Sequence, residues 1–160
     1  MDLFPWFLFL HVFGAILAFG PSFSMPILGA MGGAERQHAN FAMRVAHAIS
    51  IQRIRPLAIL QGITGVGLVI TGPVDLGQGW LLLGIVLYLI ALGYALFVQI
   101  PTTQAVINMT SSPVPAPSEG GPPTEPPVAL FGLIKRLQRG GIFLAILITA
   151  IVFLMVVKPF

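Results

Sequence analysis

His11 lies in a stretch, residues 3–34, that contains no Asp, Glu, Lys or Arg. An imidazole in such surroundings can bind iron or another metal through a ring nitrogen, contact a quinone, or hydrogen-bond to a hydroxyl. Ionisable groups in an apolar medium are costly and often functional. Four further polar side chains stand in apolar runs: Gln61, Thr64, Tyr88 and Thr149. Together they define a candidate cofactor site, with His11 as axial ligand to a b-type haem or as metal ligand and the other four around it. The competing reading is a neutral His11 bonded to Thr or Tyr as glue between helices. His47 is a poor second haem ligand, because it is expected about 15 Å or more from His11 along the bundle axis.

Other chemistry is sparsely represented. The chain has no Cys, which removes disulfides, Fe–S clusters, thiolate zinc sites and covalent haem attachment. No Walker loop, HExxH, nucleophile elbow or carboxylate pair occurs. Only five acids are present, none expected in mid-membrane, so proton transport on carboxylates has no obvious carrier. An enzyme is not indicated; one acting on a hydrophobic substrate at the polar groups is the weakest option.

The elements that position these groups follow from composition. Of 160 residues, 8% are charged and 56% hydrophobic, and the mean hydropathy is +0.95. A soluble domain carries about 25% charged residues, so this chain lacks the polar surface to face water. Its basic residues cluster at the ends of apolar runs, a pattern of membrane topology rather than nucleic-acid binding. Charges are missing from residues 3–34, 56–74, 76–118 and 140–157. A spanning helix needs about 20 apolar residues. The expected fold is therefore all-α, a single polytopic membrane domain over residues 1–160. It is a four-helix transmembrane bundle with spans near 3–28, 56–72, 80–100 and 141–157. The second helix is expected to start upstream, in headgroups or water. Counted from the end shared by both termini, His11 falls about 10 Å deep and Thr64, Tyr88 and Thr149 roughly 12–14 Å. If all face inward they form one polar layer, with Gln61 a turn deeper on the Thr64 face.

Basic residues set the direction. Arg36, Arg44, Arg53 and Arg55 precede the second span, and Lys135, Arg136 and Arg139 precede the fourth. With these in the cytoplasm both termini lie outside, Lys158 being the exception. Arg44, Arg53 and Arg55 are expected at anionic lipid headgroups, and Trp6 and Trp80 in the aromatic belt at the other face. The first segment lacks the positive start of a secretory signal and reads as a retained helix. Residues 101–127 contain eight prolines and read as an extended cytoplasmic loop or a strap over a partner. Pro21 and Pro26 predict a kink. Gly62, Gly65, Gly67, Gly84 and Gly93 allow helices to approach closely. Expected partners are the bilayer and other membrane subunits or further copies of the chain.

Three groups of residues carry a resemblance: His11-x-x-Gly14-x-x-x-x-x-Gly20, Arg55-Pro56 with Gln61-Gly62-x-Thr64-Gly65, and the ending Leu154-Met155-Val156-Val157-Lys158-Pro159. The chain resembles an uncharacterised family of predicted bacterial integral membrane proteins, distantly similar to the membrane domain of the copper-resistance protein CopD. The resemblance implies a four-helix protein of the inner membrane. The more remote similarity to CopD and to HemJ-type haem proteins points to His11 as the matching position. HemJ-type proteins also use a membrane-embedded Lys, and no Lys lies within a span here. An accessory subunit of a membrane assembly and a haem- or metal-binding redox or transport protein both remain open at this point.

Overall fold

The computed structural model describes residues 2–73, 75–111 and 128–159. They form four long helices: α1, Phe4–Ala34; α2, Ala39–Thr71; α3, Gly79–Ser111; and α4, Val128–Val157. All four are long and apolar enough to cross a membrane, and no strand occurs among the described residues. Helix is the form these sequences must take in lipid, because it satisfies every backbone donor and acceptor within one segment.

The helices are longer than the expected spans. At 1.5 Å per residue, 30–33 residues reach about 45–50 Å, against about 30 Å of hydrocarbon. Charged residues mark where a helix leaves the apolar layer, not where it stops. Thus α4 carries Lys135, Arg136 and Arg139 in mid-helix. The loop expected over 101–127 is corrected in its first part. Residues Ile100–Ser111 are helical despite Pro101, and residues 112–127 lie outside the described residues.

Pro101 is tolerated because of the turn before it. Proline lacks an N–H and crowds the carbonyl four residues back. In α3 the wide π turn Ala95–Gln99 ends two residues before Pro101, opening the backbone where that crowding falls. Helix α2 repeats the device, with a π turn at Ser50–Ile54 two residues before Pro56. In α1 a tight 3₁₀ turn, Gly20–Ser24, contains Pro21 and interrupts the α-helical ladder. Counted from the end that carries Phe4, Thr71, Gly79 and Val157, all three breaks fall about 24–31 Å away. That is one hydrocarbon thickness. Beyond it the helices continue as a cap, held in part by Asn40. Its Nδ2 donates to Ile107 O and to Thr110 Oγ1, at 3.2 and 2.8 Å, tying the start of α2 to the end of α3.

Close backbone approaches divide by level. Near the termini they run within pairs, α1 against α2 and α3 against α4; toward the basic end α2 also packs on α3. Hydrophobicity alone cannot drive these contacts, since lipid is as apolar as the side chains; close fit and hydrogen bonds must. Glycines supply the fit. Gly67 lies under the Phe7 ring, Gly72 under Phe4, Gly84 against Met155 and Gly62 against Tyr88. Gly93 meets nothing. Large side chains face outward instead, as Ile70 at 77% and Phe97 at 80% exposure show. A small cluster of Trp80, Leu81 and Leu154, with Val69 beside it, joins the two pairs at the terminal end.

The Lys158-Pro159 ending has a structural reason. Lys158 takes a positive φ of 49°, the left-handed conformation that closes many helices, and the proline after it blocks continuation. The turn carries Lys158 Nζ to 5.3 Å from the centre of the Trp80 ring, a cation–π contact. Trp80 is buried, whereas Trp6 stands 68% exposed as an interfacial aromatic would.

Candidate functional site

Helix α1 carries His11 and α2 carries Thr64, and antiparallel packing brings them to one level. His11 Nδ1 lies 3.0 Å from Thr64 Oγ1. Each residue is seven positions from the terminal end of its helix (Phe4 and Thr71), about 10 Å of rise. Gly65, beside Thr64, has no side chain to hold the ring away: a Cβ there would stand 3.4 Å from His11 Cε1.

Proton positions follow from the neighbours of the hydroxyl. Thr64 Oγ1 is also 3.0 Å from Leu60 O and 3.1 Å from Gln61 O. Both are acceptors, and with the single hydroxyl hydrogen donated to this pair the ring takes one tautomer. The oxygen is then free to accept, and His11 Nδ1–H donates to it. A neutral imidazole carries one proton. This assignment leaves the lone pair on Nε2, on a ring that is only partly buried.

Gln61 completes the α1–α2 connection. Its Nε2 donates to His11 O at 2.9 Å, so the polar side chains of α2 hold both the ring and the backbone of the same residue. Gln61 Oε1 is buried with no partner among the described residues. It fits because Gly14 faces it, where a Cβ would lie only 3.0 Å away. Leaving such an atom unpaired costs on the order of 1–3 kcal/mol, which the two cross-helix bonds must offset.

Tyr88 and Thr149 go elsewhere. Tyr88 OH donates to Ala58 O at 2.8 Å, bridging α3 to α2 over Gly62. It lies on the basic side of the His11 group and does not reach it. Thr149 is exposed, and its hydroxyl donates to Ala145 O on its own helix at 2.8 Å. It lines an outward groove with Ile146 and Phe153. The inward layer expected from depth therefore has members on three helices rather than four. Its group around the imidazole is His11, Gln61 and Thr64.

Three polar contributors were missed in the sequence. Gln99 Nε2 donates to Leu137 O at 3.1 Å, joining α3 to α4. Tyr94 stands beside it, its ring edge-on to Phe143 with centroids 5.0 Å apart. Asn40 is the third. The usable signal for Gln99 was a carboxamide within an apolar run, the same signal that singled out Gln61.

The arginines separate into two sets. Arg53 and Arg55 are exposed at the level of the π turn, about 24–27 Å from the terminal end. Arg44 lies further on and lines a cleft between α2 and α3 with His47. His47 Nδ1 is buried and unpaired among the described residues. It is 17 positions from Thr64 along α2, about 25 Å, so His11 and His47 do not share a site. No three His, Cys, Asp or Glu residues come within reach of one metal ion among the described residues.

Residues 6–159 match the family described as predicted integral membrane protein, DUF2269, and the chain belongs to that family. No curated protein and no solved structure matches it.

Proposed function

We propose that this polytopic membrane protein is a non-enzymatic subunit or scaffold of a membrane assembly, and that His11, Gln61 and Thr64 lock α1 to α2. The observation that carries the reading is that these polar groups bond from one helix to the next. The His11 ring is bonded to Thr64, the Gln61 amide to the His11 carbonyl, and the Tyr88 hydroxyl to Ala58 O. Groups so engaged hold helices together. Exposed glycines at Gly29 and Gly33, with open space where a Cβ would stand, support the approach of neighbouring helices. In this reading the membrane is the bacterial cytoplasmic one. Arg44, Arg53, Arg55, Lys135, Arg136 and Arg139 face the cytoplasm and both termini lie outside. Arg53 and Arg55 sit at lipid headgroups. Extraction in mild detergent followed by mass determination tests the proposal: a second subunit or further copies are expected, and a lone monomer contradicts it.

One observation favours a second reading, a haem- or metal-binding redox or transport protein. The ring makes its hydrogen bond at Nδ1; with the proton there, Nε2 keeps the lone pair a metal would use. The two readings part on His11→Ala. As helix glue, the substitution lowers stability by about 1 kcal/mol, and the wild type shows neither a Soret band nor bound metal. As a ligand, wild-type protein carries one of these and the variant loses it while the fold persists. An absorption spectrum, a metal analysis and a melting curve decide.

A further inference from the structure

We propose that the cleft between α2 and α3 in the cap binds a phosphate-bearing anion, independently of the role of the His11 group. The cleft is open along one side and holds about 370 Å³, within the range of small-ligand sites. Arg44, His47 and Gln52 line it from α2 and Gln104 from α3, over an apolar floor of Ile51 and Ile107. No carboxylate is among the residues that line it.

The lining has hydrogen-bonding capacity to spare. Arg44 forms no ion pair among the described residues, where the pair found is His38 with Glu35. Gln104 Nε2 donates to Asn108 Oδ1 at 2.8 Å, which leaves its second amide hydrogen and its oxygen. His47 keeps a buried ring nitrogen unpaired. The π turn beginning at Ser50 advances fewer degrees per residue than an α turn, which holds Gln52 over the same face as Arg44 and His47.

Position names the ligand class. Counted from the terminal end, Gln52 is about 28 Å along its helix and His47, Gln104 and Arg44 about 36–40 Å. The cleft thus begins where about 30 Å of hydrocarbon ends, at the level of lipid phosphates. A guanidinium, carboxamides and an imidazole suit phosphate oxygens. The anion arrives either as the headgroup of a lipid in that leaflet or as a free phosphate from the adjoining water.

The experiment uses the full chain in mild detergent with phosphatidylglycerol as probe, retention being read by native mass spectrometry. The wild type is expected to retain the lipid, and Arg44→Gln about fivefold less, the effect of one basic residue near a membrane surface. Lys158→Gln, which removes the same charge at the opposite end of the bundle, stays close to wild type. Displacement by excess inorganic phosphate identifies free phosphate as the source; resistance identifies the lipid headgroup. If Arg44→Gln does not fold, Gln104→Glu, which sets a negative charge on the opposite wall, must give the same loss. The proposal is overturned if the wild type retains no lipid and binds no inorganic phosphate, or if Lys158→Gln loses as much as Arg44→Gln.

Discussion

Gly67→Val lowers the stability of the detergent-solubilised bundle by about 2–3 kcal/mol, and Phe7→Ala in the same chain recovers most of the loss. A Cβ on Gly67 would overlap the Phe7 ring at three of its carbons, so the ring cannot swing clear by moving one distal atom. Forcing extra methyl groups into a packed contact costs about 1–3 kcal/mol. The site lies in the principal interface of the terminal half, α1 against α2, where close fit rather than hydrophobic transfer provides cohesion. Gly67→Ala is milder, because alanine gains about 1 kcal/mol of helix propensity over glycine. Melting curves of the three chains check the order. Equal melting of Gly67→Val and wild type would mean that α1 does not rest on α2 at this point.

At the basic end of α4, Gly140→Val costs about 2–3 kcal/mol by a different route. Its Cβ would collide with Gln99 Oε1 and Tyr94 OH, expelling the carboxamide that bonds Leu137 O. Polar groups of α3 would then lie unpaired in an apolar interface, at about 1–3 kcal/mol for each. Gly141 gives the control within the same helix. It is exposed and a Cβ there meets nothing, so Gly141→Ala is neutral or stabilising by a few tenths to about 1 kcal/mol. Thermal melts that fail to separate the adjacent positions would remove the α3–α4 contact from the account.

How far the sequence foretold these contacts depended on the kind of information each one needed. Length and depth were legible. Charge-free windows marked four crossings, and counting residues from their ends set His11 and Thr64 at one level, where a hydrogen bond joins them. Direction around the helix was not. In lipid both the buried and the exposed face are apolar, so no contrast of period 3.6 shows which way Thr149 points, and it points outward. Helix ends were misjudged for a related reason. Pro101 reads as a breaker, and only the wide turn at Ala95–Gln99 upstream lets the helix pass it. Likewise Lys135, Arg136 and Arg139 mark a change of solvent within α4, while the helix runs on through both media. The reason for the Lys158-Pro159 ending was hidden because the residue it meets, Trp80, is distant in sequence.

The reading of His11 as the fastening of α1 to α2 is tested most directly by a double-mutant cycle of His11→Ala and Thr64→Val, followed by thermal or denaturant unfolding in detergent. Hydrogen bonds between membrane helices couple by about 0.6 kcal/mol on average and up to about 1.7. A coupling in that range is expected, with the double variant less impaired than the two single losses added together. Strict additivity would contradict it: the imidazole and the hydroxyl would then be neighbours without a bond, and neither ring nitrogen would be committed to Thr64.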